Sequence, residues 1–175
     1  TNLGGSEAEV AYSIQQTNDT GYIVAGTSQS NDGDVGGNNG EFDFWIVKLD
    51  ESGSLVWETN LGGSLDDIAR SIEQTIDGGY IVAGTSQSND GNVGGNNGII
   101  DYWIVKLDSS GSLVWETNLG GSGIERVSEI NQTTDGGFIV AGMSRSNDGD
   151  VGGNNGIRDG WLVKLNSSGI LIWEK

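Results

Sequence analysis

Three stretches of this sequence place oxygen-bearing side chains at one repeated spacing. They are Asp32, Asp34, Asn38 and Asp43, then Asp90, Asn92, Asn96 and Asp101, then Asp148, Asp150, Asn154 and Asp159. Counted from the leading Asp, they occupy positions one, three, seven and twelve, and a glycine (Gly37, Gly95, Gly153) stands at position six. Carboxylates one residue apart can turn their oxygens onto one ion, the glycine permits a sharp bend, and a late carboxylate closes the shell. This is the logic of a calcium loop. The pattern departs from that loop in three ways: position five is glycine (Gly36 in the first stretch), position twelve is Asp rather than Glu, and no helices are predicted on either side. Asn-Asp-Gly and Asn-Asn-Gly also form turns without any metal. Two readings therefore stand open: structural Ca2+ sites, and metal-free clusters of turns.

The remaining composition narrows the chemistry. The chain has no His and no Cys, and its net charge is −17. Imidazole catalysis, thiol nucleophiles, disulfides and the usual transition-metal ligands are all excluded. Such a charge repels nucleic acid and anionic lipid and favours divalent cations. No apolar run approaches membrane-spanning length, so no membrane insertion is expected. An enzyme would have to rely on a carboxylate acid and base pair, as glycosidases do. Glu9, Asp66, Asp67 and Glu125 are candidates, but spacing singles out no pair. Nearly equal copies also argue against a reacting centre, which needs unlike groups with different pKa values. The expectation is a protein that is not an enzyme.

The elements that position these loops follow from an internal repeat of 58 residues. "TNLGGS" starts at Thr1, Thr59 and Thr117, giving repeats over 1–58, 59–116 and 117–175. In the middle copy, four segments rich in β-branched and aromatic residues read as strands: 68–75, 79–86, 101–108 and 112–118. Ile76-Asp77-Gly78 and Ser109-Ser110-Gly111 turn two hairpins. Alternation in "DYWIVKLD" puts Trp103, Val105 and Leu107 on one face and Tyr102 and Ile104 on the other, so both faces are apolar. A small sheet with two apolar faces needs a neighbour on each side. The expected fold is all-β and of β-propeller type, with three four-stranded antiparallel blades. The alternative is a β-trefoil, which also repeats four strands three times. Trp45, Trp103 and Trp161 are assigned to the core.

With these segments in place, "GGYIVAG", "DYWIVKLD", "GSLVWE" and "NLGGS...DDIARSIEQT" resemble the repeats of secreted bacterial and archaeal β-propeller proteins, which occur as tandem extracellular or surface-attached arrays. The resemblance spans the whole chain and implies four-stranded blades and an extracellular or cell-surface setting. Propeller rings usually have four to eight blades, so three imply self-association, by ring completion or head to tail, or an excerpt of a longer chain. The lack of an initiator Met or signal segment fits an excerpt. Trp173-Glu174-Lys175 stops inside a fourth strand that Thr1-Asn2-Leu3 looks able to complete. The expected role is a structural or adhesive module of a surface or filament-forming protein, with a glycan-binding propeller as the alternative. For glycans, Tyr12 and Phe42 are candidate stacking residues, yet their counterparts are Arg70 and Ile100, then Ser128 and Arg158, so a pocket repeated three times is not expected.

Overall fold

The computed structural model describes residues 2–175. Among them are twelve strands in three four-stranded antiparallel sheets, each a propeller-like blade. Blade 1 holds β1 (Glu9–Gln16), β2 (Tyr22–Ser28), β3 (Asp43–Leu49) and β4 (Leu55–Leu61). Blade 2 holds β5 (Asp67–Gln74), β6 (Tyr80–Ser86), β7 (Asp101–Leu107) and β8 (Leu113–Leu119). Blade 3 holds β9 (Glu125–Gln132), β10 (Phe138–Ser144), β11 (Asp159–Leu165) and β12 (Leu171–Glu174). Each sheet is a meander in chain order, as short turn-rich segments dictate. This is the propeller arrangement, not the trefoil.

Within each blade the first hairpin turns on a Thr, buried in blades 1 and 2 and half-buried in blade 3, and an Asp. In blade 2, Thr75 N–H donates to Gly79 O at 2.9 Å, Gly78 takes a φ of 84°, and Asp77 accepts from Gly79 N–H at 3.0 Å. The same Asp meets the ammonium of buried Lys106 at 3.1 Å, and Lys48–Asp19 and Lys164–Asp135 repeat the pair. A lysine inside an otherwise apolar strand is thus placed with its charge answered.

Blades stack face on face. Phe44, Ile46, Ile23 and Ala25 of blade 1 share one core with Trp103, Val105, Leu107, Tyr80 and Val82 of blade 2. Tyr102, Ile104, Ile81 and Ala83 share the next with Trp161, Val163, Leu165, Phe138 and Val140 of blade 3. Phe44 lies 4.5 Å from Trp103, and Tyr102 lies 4.6 Å from Trp161, both tilted. The alternation expected of "DYWIVKLD" is therefore realised, and Trp45, Trp103 and Trp161 are 7%, 0% and 2% exposed. The second tryptophan of each copy also reaches forward. Trp57 packs on Gly111 and edges Tyr80, and Trp115 packs on Gly169 and lies tilted against Phe138.

The strands are offset from the sequence repeat. β4 and β8 run past residues 58 and 116 to Leu61 and Leu119, so the first residues of one copy finish the sheet of the copy before. In the first copy, Thr1 lies outside the described residues, and Asn2 and Leu3 are not in a strand; Leu3 packs against Trp45 and Val47 on the outer side of blade 1. Among the described residues, Asn2 and Leu3 do not complete the fourth strand of blade 3.

Candidate functional site: clamped joints with buried carboxylates

The glycine loop folds back over the "LGGS" corner between blades. Asp34 N–H donates to Gly4 O at 3.0 Å, Asn92 N–H to Gly62 O at 3.0 Å, and Asp150 N–H to Gly120 O at 2.9 Å. The leading Asp accepts from the serine after the corner: Ser6 N–H to Asp32 at 2.8 Å, Ser64 N–H to Asp90 at 2.7 Å, Ser122 N–H to Asp148 at 2.8 Å. The residue at position three accepts from the corner glycine, at 3.3 Å for Asp34, 3.2 Å for Asn92 and 3.1 Å for Asp150. Val35, Val93 and Val151 plug the loop, each 3% exposed. The glycine pair is needed for closeness, since a Cβ on Gly63 would collide with Asp90 and stand 2.6 Å from Ser88 Cβ.

Position seven serves as a scaffold. Asn38, Asn96 and Asn154 each donate from Nδ2 to the last carbonyl of the second strand, Ser28, Ser86 and Ser144, at 2.9, 3.0 and 3.1 Å. Each also accepts, through Oδ1, the N–H of the glycine two residues on. Asp43 and Asp101, at position twelve, accept from Asn39 and Asn97 N–H at 2.7 and 2.6 Å, and Asp159 accepts from Asn155. The four residues of each loop are thus spent mainly on backbone N–H and C=O groups. Among the described residues no three acidic groups gather as a metal cluster. The loop geometry is that of the turn cluster, with one exception at position twelve.

That exception lies at the joints. Asp43 and Asp101 are fully buried, and each keeps one oxygen, Oδ1, without a partner. Each of these oxygens faces a carboxylate of the next blade. A Cβ on Gly62 would collide with Asp43 Oδ1 and lie 2.8 Å from Asp67 Oδ2; one on Gly120 would collide with Asp101 Oδ1 and lie 2.6 Å from Glu125 Oε2. Asp67 Oδ2 accepts from Gly63 N–H and Ser88 Oγ at 2.7 and 2.8 Å, while its Oδ1 is another buried oxygen without a partner. Glu125 is tied by Gly121 N–H at 2.9 Å and by Ser144 and Ser146 hydroxyls at 2.7 Å. The side-chain amides of Asn60 and Asn118, two residues before the same glycines, also lack partners.

Two like charges in a buried joint are costly to keep ionised together. Burial, reinforced by Asp67 and Asp90, pushes Asp43 up to about 7 despite the Asn39 hydrogen bond. Burial, reinforced by Glu125 and Asp150, pushes Asp101 up to about 6. Burial likewise raises Asp67. At the open end, Glu9 occupies the place of Asp67 and Glu125, with Gly5 N–H and Ser28 Oγ donating to it. Its pKa is lowered, the hydrogen bonds from Ser30, Gly5 and Ser28 together outweighing burial. Burial therefore holds Asp43 and Asp101 toward the protonated form. Of the sequence candidates, Asp43 and Asp101 are brought to such a place, each beside a partner, Asp67 or Glu125, that spacing alone did not connect to it. Asp90, Asn92, Asp148 and Asp150 form the clamps around these joints, and Asp32 and Asp34 form the same clamp on the Gly4–Ser6 corner at the open end. The nearest sequence signal was that Asp67 and Glu125 occupy equivalent positions four residues after the glycine pair.

No family model and no curated protein matches the sequence. Among solved structures, the chain is similar to a crystal structure of an ACO/RPE65 chimera, with a TM-score of 0.52 at 12% identity over 97% of this chain. The match spans 39% of that chain's length. At this identity the likeness speaks to the blade arrangement alone.

Proposed function

We propose that the chain is a non-enzymatic structural and adhesive module, working outside the cell or on its surface, that extends by seating one blade on the next. The observation carrying this is the pair of unlike open faces at its two ends. Blade 1 has a cavity of about 620 Å³ where the half-buried Leu3, Val24 and Leu49 surround the buried Trp45 and Val47. Their counterparts in blades 2 and 3 are covered. Blade 3 presents Leu162 and Trp173, exposed by 43% and 42%, where the counterparts Ile46, Ile104, Trp57 and Trp115 pack on a following blade. Gly53, at the place where Gly111 and Gly169 receive a tryptophan, has open space above it. A second copy fits both faces head to tail, Trp173 seating on Gly53. The joint would also bring Asp159 opposite Glu9. Such a contact is heterologous, so it closes as a ring or grows as a filament.

Calcium at the joints is part of this proposal. Asp43 with Asp67, and Asp101 with Glu125, offer two carboxylates to one divalent ion, and the unpartnered buried oxygens support this ligand set over the loop positions. The likeness of the repeat phrases to secreted arrays supports the setting, where millimolar calcium fills weak sites. Light scattering on the purified chain over a range of concentrations tests the proposal. A mass that rises with concentration, and falls back in a Trp173→Ala variant, is expected. A strictly monomeric protein at high concentration in the presence of calcium would refute stacking between copies.

A further inference from the structure

The three innermost strands each carry a β-bulge at the same place. Register shifts between Ala11 and Ser13 in β1, between Ala69 and Ser71 in β5, and at the pairing of β9 with Ala141 and Gly142 in β10. The residues set out of register are Tyr12, Arg70 and Ser128. A bulge re-aims the side chain it carries, and these strands lie side by side, so three equivalent positions meet at one place. They line a single pocket of about 280 Å³ with Thr85, Arg126 and Val127. Repeat positions that fail as three copies of a site thus combine as one asymmetric site.

The chemistry of this pocket is opposite to that of the rest of the molecule. The chain has 25 acidic residues and eight basic ones, yet Arg70 and Arg126 both line this pocket. Among the described residues every ion pair involves Lys, and no acceptor takes a hydrogen bond from either guanidinium. Arg70 lies over the ring of Tyr12, its Cζ 4.3 Å from the centroid. Stacking of this kind occupies the face of the guanidinium and leaves its N–H edge free. Tyr12 remains 43% exposed beside it.

We propose that this pocket binds a carboxylate-bearing sugar, a uronate residue of an acidic saccharide. Two unpaired guanidinium edges suit a planar carboxylate, which accepts paired N–H donors. Tyr12 offers an apolar surface to a sugar ring, and the Ser128 and Thr85 hydroxyls, together with the small volume, suit a single ring. The net charge of −17 disfavours nucleic acid and large polyanions. This inference deepens the glycan-binding reading of the sequence and is independent of blade stacking.

Nuclear magnetic resonance titration of the intact chain with a galacturonate trimer tests it, with a neutral galactose trimer and a sulfated galactose as companion probes. Saturable shifts confined to residues 12, 70, 85 and 126–128 are expected with galacturonate alone. Arg70→Gln and Arg126→Gln should each weaken binding about tenfold or more. Arg126 is exposed, so its variant keeps the fold, and an unchanged spectrum elsewhere verifies this. Absence of shifts with galacturonate, equal binding of the neutral trimer, a response to sulfate only, or affinity untouched by Arg126→Gln would each overturn the proposal. None of these outcomes bears on whether copies stack, which light scattering reads separately.

Discussion

The buried pairs at the joints make stability depend on pH in a direction opposite to ordinary acid denaturation. Asp43 binds its proton more tightly in the folded chain, at about 7 against 3.8, so between those values the folded state carries more protons than the unfolded one. Stability then falls as pH rises through that window, because the slope follows the difference in bound protons. The shift corresponds to about 4 kcal/mol for Asp43 and about 3 kcal/mol for Asp101 as upper limits. Relaxation and water entry reduce the sum to about 2–4 kcal/mol, or about 5–15 °C in melting temperature for a chain of this size. The window is clean because the chain has no His, so few other groups titrate between pH 5 and 8. Glu58, raised by burial, adds in the same direction. Differential scanning calorimetry in chelator at pH 5 and pH 8 is the assay. The midpoint should be lower at pH 8, calcium should restore it there by about 3 kcal/mol at a hundred times its Kd, and the same calcium should do much less at pH 5. The Asp43→Asn, Asp101→Asn double variant should lose most of both effects. A midpoint in chelator that is flat or rises from pH 5 to pH 8, or a slope unchanged in the double variant, refutes the reasoning.

Other outcomes follow from single contacts. Trp103→Ala, at a fully buried position touching Phe44, should cost about 3–5 kcal/mol in denaturant unfolding. Val93→Ala should loosen the loop clamp and cost about 1–3 kcal/mol, with hydrogen exchange rising first at the amides of Asn92 and Ser64 that the clamp holds. Asp77→Asn should weaken the partner of nearly buried Lys106 and cost about 1–3 kcal/mol in the same unfolding assay. Gly160→Tyr restores the aromatic that blades 1 and 2 carry and should shift the concentration at which light scattering detects larger species downward, about tenfold or more.

Much of the fold was legible because one physical signal repeated three times. Period-two alternation around Trp45, Trp103 and Trp161 named the faces, and the Asp-Gly turns named the hairpins, leaving stacked sheets as the way to cover both sides. The offset of β4 and β8 across the repeat boundary was partly visible in the way the last copy stops at Trp173-Glu174-Lys175. The loop was harder. Its Asp spacing matches a calcium loop because backbone N–H groups of a tight corner and a hard cation recruit the same oxygens, and spacing does not tell the two apart. What the sequence could not display was contact between copies. Asp43 meets Asp67, and Tyr12 meets Arg70, only because consecutive sheets lie side by side, and no local pattern records which loops face each other across a joint.

Gly160 would give the proposed stack a weak seam. Phe44 and Tyr102 lock blades 1 to 2 and 2 to 3 with an aromatic wedge, while the third blade offers none at that level. In the stacking proposed between copies, that interface would lack the wedge which closes the other two, and dilution would open it first.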